Sequence, residues 1–340
     1  MAAKSNALVV NELDAETKEM LKKHFTGERG GFVRMGPKGY IVTERYKEMA
    51  EDIYDMEIRP SDVWVVTYAR SGTTWTQELV WMVANDLDYK TSKSIILPER
   101  FPFLEHAMML YPSMKEEILT EKNYDPKIRK LLELFSEPFA KPLASVPSPR
   151  FIKSHLPLSL LSPNILDAKV VYVARDPRDA AVSFYHMGSS LRTIGFRGDF
   201  KTYWSLFMRD LLYWTPFFEH VKEAWEKRNH PNLLFLFYEE LQKDLKSVVL
   251  RVSEFFGKTY TEEQVLALCD HLTFSNFKAN PAVNSDLLKD IGLVQPTHEF
   301  IRKGKTGGWR DYFDEEMMVQ SDKWIADNLR NTDLRFPSMQ

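Results

Sequence analysis

Apolar residues gather into short runs that each end at a polar or glycine-containing turn. Val63-Trp64-Val65-Val66 runs into Thr67-Tyr68-Ala69-Arg70-Ser71-Gly72, which reads as a buried strand breaking into a turn. Thr73–Ala84 follows with Trp75, Leu79, Val80 and Val83 near helical spacing, predicting an amphipathic helix. Arg150–Ser154, Lys169–Val173 and Asn232–Tyr238 are further β-branched or aromatic runs, and the stretches between them read helical. Strands alternating with helices predict a single α/β domain over 61–340, with a central, mainly parallel sheet flanked by helices. Residues 1–60 read as an N-terminal arm packed on that core. It has a helical patch at Ala15–His24, Gly/Pro punctuation from Gly27 to Gly39, and a second patch at Glu44–Tyr54. Residues 91–149 carry several prolines and irregular apolar patches such as Phe101-Pro102-Phe103-Leu104, the pattern of a lid over an acceptor.

Composition narrows the function. The chain has 340 residues, is 44% hydrophobic and 27% charged, and carries 8 Trp, 14 Tyr and 22 Phe, enough aromatics for a large core and an apolar pocket. A net charge of -3 argues against a general nucleic-acid binder. Cys269 is the one cysteine, so there is no internal disulfide framework; its neighbours predict an inert, helix-buried thiol. Scattered histidines give no ligand spacing, so no metal is expected. The N-terminus shows no secretory pattern and no apolar run can span a bilayer, so a cytoplasmic protein without membrane insertion is expected.

In parallel sheets ligands sit beyond the carboxyl ends of the strands, and the polar residues of this chain follow the strands. Arg70-Ser71-Gly72-Thr73-Thr74 opens a helix, where free N–H groups and the helix dipole favour an anion; an ordinary N-capped turn is the alternative. No earlier glycine precedes a Gly-Lys-Ser/Thr, so this loop is shorter than a nucleoside-triphosphate loop. His155 follows Lys153-Ser154 and is either a general base or a satisfied turn histidine. Arg175 and Ser183 suit a second phosphate, while Arg178 suits a neighbouring aspartate. Tyr238 either contacts a base or packs in the core. The loop from Phe300 to Arg310 holds four cations and three glycines, read as an anion site or as a solvated basic loop.

Taken in order, Thr67–Trp75, Lys153–Pro157, Tyr172–Asp179, Tyr238–Glu240 and Arg302–Trp309 resemble the cytosolic sulfotransferases, which use 3'-phosphoadenosine 5'-phosphosulfate (PAPS). Gly36–Tyr40, Arg70 and Arg310–Glu316 are similar to the insect branch that includes a retinol dehydratase. The resemblance implies sulfonate transfer from PAPS to the hydroxyl of a small apolar acceptor (phenol, sterol or retinoid-like alcohol), releasing PAP without a metal. Its alternative is elimination from an allylic alcohol through a sulfated intermediate. Implied site residues are His155, Arg70, Lys153 and Ser183 for catalysis. Ser71, Gly72, Thr73 and Thr74 would hold the 5'-phosphosulfate side, and Arg175 and Ser183 the 3'-phosphate. Trp75, Tyr238, Leu272, Thr273, Phe274 and Phe277 would enclose the adenine, and Arg302, Lys303 and Gly304 would close over the 3'-phosphate. The chain departs from the family in having Arg70 for lysine, Gly308 for aspartate, and ~two dozen extra residues between Trp75 and Lys153. It also lacks the C-terminal dimer signature, which leaves the oligomeric state open. A nucleotide kinase would need a triphosphate loop, and a non-catalytic carrier would not need His155.

Overall fold

The structure, a computed structural model, describes residues 2–283, 286–297 and 304–339. Among the described residues, seven strands form two sheets: β1 (Val10–Glu12), β2 (Phe32–Met35), β3 (Tyr40–Thr43), β4 (Val63–Thr67), β5 (Phe151–Ser154), β6 (Lys169–Ala174) and β7 (Leu233–Phe237). The larger sheet has the order β5-β4-β6-β7, with every neighbouring pair parallel. Along β4 the side chains alternate between two apolar cores. Val63 and Val65 pack with the helix Thr73–Ala84 and Val249, whereas Trp64 and Val66 pack with Leu156, Phe217 and the N-terminal residues. Both faces are therefore dry, which is why β4 reads as an unbroken apolar run.

The N-terminal region holds more than helices. β1-β2-β3 form an antiparallel sheet across the turn Gly36–Gly39, where both glycines have positive φ. The free edge of β3 is taken by a distant segment: Trp214 N–H donates to the Ile41 carbonyl and Ile41 N–H to the Thr215 carbonyl, each at 2.8 Å. Phe32, Val33, Tyr40, Ile41 and Val42 are buried in the same core that covers β4. The helix Ala15–His24 forms as the sequence predicts, capped by the Asp14 carboxylate on Thr17 N–H.

Residues 91–149 are mainly short helices, not irregular coil. They include Leu97–Arg100, Pro112–Glu121 and Pro126–Ser136. Pro98, Pro112 and Pro126 stand in the first turn of these helices, where the missing N–H costs nothing. Residues 102–105 then run beside β5 as a short parallel extension. Lys153 N–H donates to the Pro102 carbonyl and Leu104 N–H to the Lys153 carbonyl, both at 2.9 Å. Cys269 is half-buried in the helix Glu262–His271, less enclosed than expected, and burial raises its pKa. No helix among the described residues is long and apolar enough to cross a membrane.

Candidate active site

β4, β5, β6 and β7 end on one side of the sheet, and a cavity of about 280 Å³ opens there. Gly72 caps the helix Thr73–Ala84 in the left-handed region at φ 97°, and a Cβ there would lie 2.6 Å from the Tyr238 ring. Glycine is needed both for the turn and for Tyr238 to close over it. Arg70 also has positive φ, 68°, in a region few L residues occupy. That backbone sends its guanidinium across the cavity, where Nε donates to Ser183 Oγ at 3.0 Å. The residues expected at the two ends of the nucleotide are thus joined directly. Ser71 is fully buried behind the loop, and its hydroxyl has no partner among the described residues.

Arg175, at the end of β6, stacks 4.1 Å from the Tyr238 ring centroid. It donates to the carbonyls of Arg70 (3.0 Å) and Lys305 (3.1 Å), which ties the glycine turn to the C-terminal loop. Its buried Nε has no partner among the described residues. Asp179 fastens the same loop through Gly307 N–H (2.6 Å) and Trp309 N–H (3.1 Å). Arg178 pairs with Asp176 and Asp322 and covers Trp309, as expected of a structural arginine. Trp75 donates from Nε1 to the Leu272 carbonyl at 2.9 Å and meets Tyr238 edge-on. Trp75, Tyr238, Leu272, Phe274, Phe277 and Gly304 all face the cavity. Thr273 does not; its hydroxyl donates to the Asp270 carbonyl. Arg302 and Lys303 lie outside the described residues.

His155 sits just beyond β5. Its Nδ1 is 2.9 Å from the Thr67 carbonyl, which can only accept, so Nδ1 carries the proton and Nε2 is left unprotonated. Burial, reinforced by the Lys153 cation, holds the imidazole pKa well below its ordinary value. Phe103 and Trp214 flank the ring, each 5.0 Å away between centroids. The Lys153 ammonium lies over Phe103 at 4.2 Å, and burial lowers its pKa to about 8 despite the opposing pull of Glu105. Two cations, Arg70 and Lys153, therefore border a neutral base.

Beyond His155 the wall turns apolar: Leu97, Phe101, Met109, Phe135, Phe139 and Leu191 line it. Leu104, from the apolar patch expected over the acceptor, and Met108 are instead packed into the main core. Sequence reasoning missed three residues. Trp214 carries no motif, and Glu105 and His106 lie in what read as an apolar patch. His106 faces the cavity with Nδ1 2.8 Å from the Phe135 carbonyl, and burial lowers its pKa to about 4.

A glycine turn that opens a helix, a neutral histidine and an apolar chamber border one cavity, an arrangement suited to group transfer. The sulfotransferase domain matches residues 60–333, and the chain belongs to that family. Luciferin sulfotransferase of Photinus pyralis is 34% identical over 88% of this chain and 80% of its own. Sulfotransferase 1E1 of Homo sapiens is 30% identical over 88% and 94%. Among solved structures, retinol dehydratase in complex with retinol and PAP is 47% identical, with a TM-score of 0.91 over 97% of this chain and 98% of that one. Retinol dehydratase with androsterone and the inactive cofactor PAP matches at 46% identity and the same TM-score. The chain is therefore a sulfotransferase-type enzyme of the family that the sequence motifs resemble.

Proposed function

We propose that this enzyme transfers the sulfonate of PAPS to the hydroxyl of a small apolar acceptor in the cytoplasm. One observation carries the reading: the glycine turn, Arg175, His155 and the apolar chamber border a single cavity. The residues fit the donor. Arg175 Nε is a buried polar atom on a cavity-lining residue, still lacking a partner among the described residues, and such atoms are uncommon unless a ligand or water completes them. Arg70, Ser71, Gly72, Thr73 and Thr74 would hold the phosphosulfate side, and Arg175 and Ser183 the 3'-phosphate. Trp75, Tyr238, Leu272, Phe274 and Phe277 would enclose the adenine, with Gly304 and the cations Arg302 and Lys303 closing over the 3'-phosphate.

PAPS, when bound, supplies an activated sulfonate on a phosphate leaving group. The protein's part begins at His155 Nε2, which takes the proton of the acceptor hydroxyl. The Thr67 carbonyl keeps the ring in the required tautomer, and burial keeps it neutral near pH 7. Arg70 and Lys153 stabilise the negative charge that builds between donor and acceptor. Phe103, Trp214 and the chamber walls exclude water from the reacting groups. Residues 91–149 serve as the lid, contributing Leu97, Phe101, Phe103, Met109, Phe135 and Phe139 to the chamber.

The match to retinol dehydratase supports a second reading, in which the sulfate ester formed from an allylic alcohol departs to leave an alkene. Both readings share every residue above. The test is a panel of phenols, sterols and retinoid alcohols incubated with labelled PAPS, with products separated by chromatography. Labelled ester is expected with large apolar alcohols, and dehydrated polyene with free sulfate marks the elimination route. No transfer to any acceptor overturns the proposal.

A further inference from the structure

Glu105 is a fully buried carboxylate that the chemistry above leaves unused. It ends the short ladder between residues 102–105 and β5. In a parallel pair the next bond after Leu104 N–H to the Lys153 carbonyl would run from His155 N–H to a backbone carbonyl. Here the Glu105 side chain takes that place, with Oε1 accepting from His155 N–H at 2.6 Å. Its Oε2 accepts from Ser154 Oγ at 2.9 Å, and that hydroxyl accepts from Leu156 N–H at 3.0 Å. One carboxylate therefore holds three consecutive residues of the turn that carries the base. The His155 carbonyl is held from the opposite side by His220 Nε2–H at 2.8 Å, while His220 Nδ1 lies 2.8 Å from the Tyr172 hydroxyl. Both main-chain polar groups of His155 are thus fixed by side chains distant in sequence.

We infer that Glu105 is a positioning residue for catalysis: its ionised carboxylate sets the main chain of His155 and supplies the negative charge beside the Lys153 ammonium. The inference rests on His155 being the base. A charge-assisted acceptor is stronger and shorter than a neutral one, and misplacing a reacting group by an ångström costs about a hundredfold in rate.

The surroundings define how this shows in a pH profile. Burial raises the Glu105 pKa to about 7, opposed by the His155 and Ser154 hydrogen bonds and by Lys153. Tyr46, on the turn Glu44–Glu48, is buried with its pKa raised by desolvation and by Glu105, so it stays neutral. His106 and His155 are held neutral by burial. Arg70 acts on Lys153 from the glycine turn. Near neutrality the groups beside His155 that change charge are therefore Glu105 and Lys153. The acid limb of turnover belongs to Glu105, not to the catalytic histidine, whose own titration lies far lower.

The experiment compares wild type with Glu105→Gln and Glu105→Ala in the full chain. It reads kcat against pH, PAP affinity, and the tautomer of His155 by nitrogen NMR. Wild-type kcat is expected to rise through about pH 7. Glu105→Gln keeps an acceptor for His155 N–H but has no charge. It should lose about tenfold in kcat, flatten the acid limb, move the alkaline limb lower, and keep PAP affinity within about twofold. Glu105→Ala should lose about a hundredfold and show mixed His155 tautomers. If Glu105→Ala does not fold, Glu105→Gln decides alone. An unchanged acid limb in Glu105→Gln, or a loss of PAP affinity equal to the loss of kcat, overturns the inference. If wild type turns over no acceptor, the functional reading fails separately. The NMR arm then decides, because an unchanged tautomer in both variants overturns the positioning role.

Discussion

At the scale of single residues, the proposed function assigns His155 to the acceptor and Arg175 to the donor, and the two roles predict opposite effects. His155→Ala should lower kcat by about a hundredfold to ten-thousandfold, as loss of a general base does, with PAP affinity almost unchanged by calorimetry. Arg175→Ala should do the reverse. It removes a buried charge-assisted contact worth roughly 1.5–3 kcal/mol, so PAP should weaken while an analogue without the 3'-phosphate binds as before. Equal losses for both nucleotides would show that Arg175 does not read that phosphate. His155, Arg175 and Tyr238 were legible because each follows a strand end that an apolar run announces. Glu105 and Trp214 were not, since their significance lies wholly in contacts with His155, 50 and 59 positions away along the chain.

At the scale of elements, the four parallel strands were legible because burial on both faces leaves uninterrupted apolar runs. The N-terminal sheet was not. Its strands have three or four residues, and its outer edge is completed by Trp214–Thr215 rather than by a neighbour in sequence. Pro98, Pro112 and Pro126 read as breakers although they open helices. Two predictions belong to elements. Met109→Trp should crowd the chamber, raising KM for a large alcohol while sparing a small phenol and PAP; a uniform loss would mean that Met109 only supports the core. Asp62→Ala should destabilise the chain by about 3–5 kcal/mol in urea unfolding. Asp62 and Arg150 form a wholly buried pair that joins the starts of β4 and β5, and the variant leaves the guanidinium unpaired inside.

At the scale of the whole molecule, buried acids and buried imidazoles pull stability in opposite directions with pH. Burial raises Glu28, Glu105 and Glu239 to about 7. The folded state thus binds more protons than the unfolded one above about pH 4.5, and these groups make stability fall as pH rises to 7. Burial lowers His106 and His220 to about 4 and His155 well below 6.5. Those groups make stability rise with pH up to about 6.5. The two sets oppose each other between about pH 5 and 6.5, so a shallow dependence is expected there. Glu239→Gln removes one falling contribution and should tilt the curve upward, by at most ~1.4 kcal/mol per pH unit. Denaturant midpoints across that window check the sign, and a curve that tilts downward contradicts it.

The bonds between Pro102, Leu104 and Lys153 tie one wall of the cavity to the strand that leads to His155. Pro102 and Phe103 line the cavity, and the backbone of residues 102–104 bonds to the lysine two positions before His155. On the proposed reading, a shift of this segment to admit a bulky alcohol would break those bonds while β5 stays paired with β4, so the room given to the acceptor and the setting of Lys153 would change together.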